Sequence, residues 1–164
     1  MNLPEYKEIR IRKTQAGRHE VLDSLRHRFV TLTPEEWVRQ HFVNYLIAEK
    51  GYPQALMANE VELRVGDKRL RCDSVLFGSD RKPRMIMEYK AESVPVTEKV
   101  IRQVMTYNML LHVSYLLISN GNQHFCLHLN GETQKWEFLA DIPRYEELEN
   151  IEVGSINSHR KVKL

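Results

Sequence analysis

The sequence predicts an α/β fold, a mixed central β-sheet flanked by α-helices, on three observations. Two stretches, "TPEEWVRQHFVNYLIAEKGYP" and "VTEKVIRQVMTYNMLLH", carry apolar residues at helical spacing. The other apolar runs are short, alternating or continuous, and bounded by turn residues. The resulting order, α-β-β-β-α-β-β-β, has no internal repeat, and it places helices on the faces of a mixed sheet.

Each element has a local reason. Residues 1–31 are polar, with Arg10, Arg12, Lys13, Arg18, Arg26 and Arg28 scattered among a few apolar residues. They are expected to form a basic, partly ordered arm with a short strand or helix. The first helix begins at Thr33 as N-cap, with Pro34 at its first position and Glu35 and Glu36 complementing the positive end of its dipole. Trp37, Phe42, Tyr45, Leu46 and Ala48 make its apolar face, and Gly51 followed by Pro53 ends it. "NEVELRV" and "LRCDSVLF", joined by "GDK", read as a hairpin, and "GSDRKP" turns the chain into a third strand, "RMIMEYK". Thr97 caps the second helix, whose apolar side is Val100, Ile101, Val104, Met105 and Leu111. "SYLLISNG" reads as a buried strand, with a turn at Ser119-Asn120-Gly121. "HFCLHLN" and "KWEFLA" form a final antiparallel pair turning at "NGET". The core domain is therefore expected over 32–145, with a tail over 146–164 whose end, "NSHRKVKL", is basic and frayed.

Composition narrows the class. The 164 residues suit one domain with a single core, and 42% hydrophobic and 28% charged residues are ordinary for a soluble protein. A net charge of +2 excludes a polycation, so any nucleic-acid affinity must come from local clusters of Lys and Arg. Cys72 and Cys126 lie inside apolar runs and read as buried free thiols in a reducing compartment. No apolar stretch approaches the ~20 residues of a membrane span. The N-terminal "MNLPEYKEIRIRK" has no apolar core of a signal peptide, and a cytoplasmic protein is expected.

Chemistry concentrates in "RCDSVLFGSDRKPRMIMEYK". Alternate strand residues share a face, so Glu88 and Lys90 project to one side, ~6.6 Å apart along the strand. Asp73, on the neighbouring hairpin strand, comes beside Glu88 if the two strands pair through the turn. Two carboxylates at short range repel unless a cation joins them, and a hard divalent ion such as Mg²⁺ takes oxygen ligands. Lys90 can then stabilise phosphoryl charge or orient an attacking water. The plainer alternative is a strand-edge Asp and a same-face Glu–Lys ion pair. Against it, the acids terminate apolar runs and so should be partly buried, and a buried carboxylate needs a partner. Gln103 and Tyr107, four residues apart, share one face of the second helix. The turn residues Arg81, Lys82 and Arg84 read as a solvated hairpin tip or as a loop contacting phosphates near the site. His124, Cys126 and His128 share a strand face, but the two histidines lie ~13 Å apart along it and cannot both reach one ion.

Together these residues resemble the PD-(D/E)XK nuclease superfamily, in the branch marked by Gln-x-x-x-Tyr. With "EEWVRQHFVNYLIAEKGYP", "RCDSVLF", "IMEYKAESVPV", "RQVMTYN" and "ISNG" beside them, the chain is similar to the N-terminal endonuclease domain of the restriction subunit of type I restriction enzymes, from about Thr33 to Pro143. The resemblance implies a restriction-endonuclease-like fold and Mg²⁺-dependent cleavage of DNA, with Mn²⁺ as a substitute ion. Asp73 and Glu88 would bind the metal, Lys90 would be the catalytic lysine, and Gln103 and Tyr107 would organise the site and the DNA backbone. Glu60 would match a further acidic position, for which Glu62, Glu35 or Glu36 could also serve. Cys72 stands where the superfamily name has Pro. No G-x-x-x-x-G-K-[ST] occurs in the sequence, so translocation and ATP hydrolysis are not carried over. Targeting would then rest on the domain itself, on a second copy in a homodimer, or on restriction–modification partner subunits. The competing expectation is a non-catalytic nuclease-fold module that binds DNA or protein.

Overall fold

The computed structural model describes residues 1–4, 6, 9–111 and 113–150. Two sheets and three helices follow in chain order. Strands β1 (Ile11–Lys13), β2 (His19–Asp23) and β3 (Arg28–Thr31) form an antiparallel three-stranded sheet. Helix α1 (Pro34–Ala48) leads into β4 (Met57–Val65), β5 (Lys68–Phe77) and β6 (Pro83–Tyr89). Helix α2 (Glu98–Leu111) then crosses to β7 (Tyr115–Ser119), β8 (His124–Leu129) and β9 (Trp136–Phe138), and α3 (Tyr145–Asn150) closes the described chain. The second sheet holds six strands in sequential order, β4 to β9. Only β6 and β7 pair in parallel, because only there does a helix carry the chain back to the starting end of the sheet.

The predicted α/β architecture is what forms, with two additions. Residues 11–31 make a sheet of their own instead of a loosely ordered arm, and a short helix covers 145–150. Strands of three to five residues that keep polar side chains on both faces show too little alternation to be recognised as strands. Residues 151–164, including the tail's "NSHRKVKL", lie outside the described residues. No described helix is long and apolar enough to cross a membrane.

Each face of the large sheet has its own core. On one, α1 buries Val38, Phe42, Val43 and Leu46 against Leu76, Met85, Met87, Tyr89 and Leu117. On the other, α2 buries Ile101 and Val104 against Cys72, Val75, Ile86, Leu116 and Ile118. Val75 and Leu76 therefore face opposite ways, as do Ile86 and Met87, which is the two-residue period of a doubly covered strand. Thr33 caps α1 as its sequence predicts, accepting the Glu36 N–H at 3.0 Å, and Gly51, at φ 72°, takes the left-handed turn that ends it.

Candidate active site

The β5–β6 hairpin brings the predicted acids together. Ser74 pairs with Met87, so Asp73 and Glu88, the next residue on each strand, occupy facing positions. Glu88 in turn pairs with Ile118 of β7, which puts it at the carboxyl end of the central parallel pair. In open α/β sheets ligands collect at that end, where the strands finish and the connections diverge. Lys90 follows immediately, and its Nζ lies 2.8 Å from Glu88 Oε1. Glu88, Lys90 and Gln103 line one cleft of about 140 Å³ with Arg71, Cys72 and Ile86. Gln103 thus joins the site. Tyr107 lies four residues further along α2, and its side chain is not among those described.

The backbone is irregular at the acids. The β4–β5 register runs through Asn59↔Ser74 and Val61↔Cys72 but skips the position between them, where Glu60 faces Asp73. Glu60 has φ of 55° there, a left-handed conformation that costs a non-glycine residue ~1–3 kcal/mol and persists only where surrounding contacts impose it. Those contacts are charged. Asp73 Oδ2 accepts the Tyr89 N–H at 2.9 Å, and its Oδ1 accepts from Arg39 Nη2 at 3.3 Å. Arg39 Nη1 reaches Glu60 Oε1 at 2.7 Å and Glu36 Oε2 at 3.0 Å. Glu60 also accepts from Arg71, whose Nε is 2.6 Å away. Arg39 is only 5% exposed, so one buried guanidinium holds three carboxylates from α1, β4 and β5.

Charge and burial set the ionisation. Burial pushes the Glu88 carboxyl above its ordinary range, the negative charge of Asp73 adds to this, and Lys90 pulls the other way. Burial works against the ammonium of Lys90, but Glu88 and then Asp73 outweigh it and raise its pKa. Burial would likewise raise Glu60, yet Arg71 and Arg39 bring it below the usual carboxylate range. Glu60 is thus committed to two arginines, while Glu88 is a half-buried acid repelled by a neighbouring acid. A cation between Asp73 and Glu88 relieves that repulsion. Mg²⁺ fits such a pair, since it binds through one or two carboxylates and keeps several waters. No described group of three or more His, Cys, Asp or Glu residues is arranged to hold a metal. An ion here would therefore rest on two carboxylates completed by water and backbone oxygen.

Other sequence candidates lie elsewhere. The turn bearing Arg81, Lys82 and Arg84 is at the opposite end of the hairpin, with Lys82 six residues from Glu88, ~20 Å at ~3.3 Å per residue. The expectation that this turn lies near the site is not met. Asp80 engages both Arg84, at 3.4 Å, and Lys82, at 4.0 Å. His124 bonds Ser119 at 2.8 Å and packs on Phe42, while His128 packs on Tyr115, so both serve the packing of β8. Residue-by-residue reading missed Arg39 and Arg71 as partners of the acids. The available signal was Glu36 and Arg39 at i,i+3 spacing within a mostly apolar helix.

A second polar layer sits behind Arg39. Asp23, fully buried at the end of β2, binds Arg26 and accepts the Leu25 and Arg26 N–H groups at 2.9 and 2.8 Å. Asn59 Nδ2 donates to Asp23 at 2.9 Å and Asn59 Oδ1 accepts from Ser74, next to Asp73. Arg26 reaches Glu36 at 3.3 Å, and Gln40 donates to Glu36 at 2.8 Å. The three-stranded sheet is thereby bonded into the acid cluster.

Comparison with known proteins places the chain in a family. The family model of the type I restriction enzyme R protein N terminus (HSDR_N) matches residues 34–143, well over half the chain. Among solved structures, the fragment structure assigned to an HsdR subunit of a type I restriction enzyme from Vibrio vulnificus YJ016 superposes with a TM-score of 0.52 at 21% identity. The match covers 73% of this chain and 25% of that one, a likeness of fold to one part of a much longer protein. No curated protein matches closely enough to serve as a relative.

Proposed function

Because the chain belongs to the family of type I restriction enzyme R protein N termini, we propose that it is a Mg²⁺-dependent endonuclease domain of the PD-(D/E)XK kind, hydrolysing phosphodiester bonds in DNA. One observation carries this reading: Asp73, Glu88 and Lys90 converge at the carboxyl end of β6, with Glu88 raised by burial and by Asp73. Asp73 and Glu88 would hold the ion. When bound, the ion supplies a water of lowered pKa and a positive charge against the scissile phosphate. Lys90 keeps its proton, pinned by Glu88, and stands as a fixed cation for the charge that grows on the phosphoryl oxygens. Gln103, exposed on the wall of the same cleft, offers an amide to the DNA backbone. Tyr107 is assigned with it by motif alone, and Glu60, held by Arg39 and Arg71, would support the site without ligating the ion.

The direct test is nicking of supercoiled plasmid with Mg²⁺ or Mn²⁺. Wild-type protein is expected to cut, and Asp73→Ala and Glu88→Ala, folded by circular dichroism, to be inactive. Cleavage retained in both variants would overturn the assignment. A second reading, a non-catalytic DNA-binding module, is favoured by the engagement of both Asp73 oxygens, by Arg39 and by the Tyr89 N–H. It expects salt-sensitive DNA binding without metal-dependent cleavage. Partner restriction–modification subunits, or a homodimer suited to cutting both strands, complete the proposal.

A further inference from the structure

We propose that Arg39 is a built-in cation of the site, and that by occupying Glu36, Glu60 and one oxygen of Asp73 it limits the pocket to a single divalent ion at Asp73 and Glu88. This rests on the metal-dependent reading above and extends it from which residues bind to how many ions they accept. Arg39 is positioned for the task by burial and by geometry. Its two terminal nitrogens contact three carboxylates at 2.7, 3.0 and 3.3 Å, in the fixed planar geometry of a guanidinium that is always charged.

The charges around it point the same way. Six carboxylates belong to the cluster: Asp23, Glu36, Glu60, Asp73 and Glu88, with Glu35 acting on Glu88 and Lys90 through space. Four cations face them, Arg26, Arg39, Arg71 and Lys90. Among these described residues the deficit is two charges, which one divalent ion cancels. A second ion would leave the cluster positive by two, with no carboxylate to receive it, because Glu36 and Glu60 already accept from arginines on both oxygens. Replacing Arg39 releases Glu60 Oε1, Asp73 Oδ1 and one contact of Glu36, while Arg26 stays on Glu36 and Arg71 on Glu60, and it deepens the deficit, so room and charge for a second ion appear at once. Arg39 is a positioning residue in this scheme, and it touches neither substrate nor reacting atoms.

The experiment counts Mn²⁺ on the whole chain without DNA, by titration calorimetry and by the electron-spin signal of free ion. Wild type is expected to bind one Mn²⁺ per chain, and Arg39→Met two, the second within about tenfold of the first in affinity. Arg39→Met paired with Glu60→Gln restores the charge balance and should return to one. If Arg39→Met melts too low for titration, the count is read from the Mn²⁺ dependence of melting, steeper by one ion per chain than in wild type. Two ions on wild type, or one on Arg39→Met, would overturn the role of Arg39 while leaving the nuclease reading intact. No ion on wild type, with Asp73→Ala indistinguishable from it, would overturn the metal-dependent reading itself and this inference with it.

Discussion

The two ends of the β5–β6 hairpin carry similar residues and do different things. At the turn, Asp80, Arg81 and Lys82 are exposed and Arg84 is half-buried, and the ion pairs there are long, at 3.4 and 4.0 Å. At the other end, Asp73, Glu88 and Lys90 lie beside Arg39 and Glu60, half-buried or buried, with contacts of 2.7 to 3.3 Å. Composition does not separate them. Burial does: an exposed pair contributes ~0–1 kcal/mol, whereas removing one partner of a buried pair costs ~3–5 kcal/mol. Only the second end can hold a carboxylate away from its ordinary ionisation, and only there does a charge have leverage on chemistry.

The contrast can be broken most directly by rate. Glu88→Ala or Asp73→Ala should lower plasmid nicking on the order of 10³-fold, the loss of several kcal/mol of charge stabilisation. Arg81→Ala combined with Lys82→Ala should leave the nicking rate at saturating DNA unchanged. Equal losses at both ends would erase the distinction. Stability is the next measure. In urea unfolding, Arg39→Ala should destabilise the fold by about 3–5 kcal/mol, because Glu36, Glu60 and Asp73 lose the buried cation they share, while Arg84→Ala should stay within about 0.5 kcal/mol.

Ionisation sharpens the comparison further. Glu88 titrates higher folded than unfolded, so its contribution to stability is present below the ordinary carboxylate range and is lost as pH rises through its folded pKa. Glu60 and Asp23 are shifted down, so theirs is present above that range and lost as pH falls. Asp73→Asn removes the repulsion on Glu88 and should move its carboxyl resonance in an NMR titration to lower pH. An unchanged midpoint would mean that burial alone raises Glu88. The smallest effect belongs to the turn, where Arg81→Ala with Lys82→Ala should weaken DNA binding evenly across sequences and flatten its salt dependence by about one to two ions.

Much of this architecture is legible along the chain. Thr33-Pro34 and Gly51 bound α1, "GDK" joins β4 to β5, and the doubly apolar "SVLF" and "MIM" announce strands covered on both faces. The proximity of Asp73, Glu88 and Lys90 was legible as well, because Glu-x-Lys keeps both side chains on one face and a short turn returns Asp73 to Glu88. The three-stranded sheet was not, since its strands are short and polar and draw their order from contacts with α1. Asp23 and Arg26 read as loop charges until their burial is known.

The sequence by itself determined the two long helices and the strands of the large sheet, their order and the pairing of Asp73 with Glu88 and Lys90, all consequences of period, turns and nearest neighbours. Tertiary structure alone decided which charges answer to one another. Arg39 lies 34 residues from Asp73 and meets it only because α1 packs across β6. No local pattern encodes such a contact. Its weight comes from the exclusion of water, a property of the packed molecule and not of any segment of the chain.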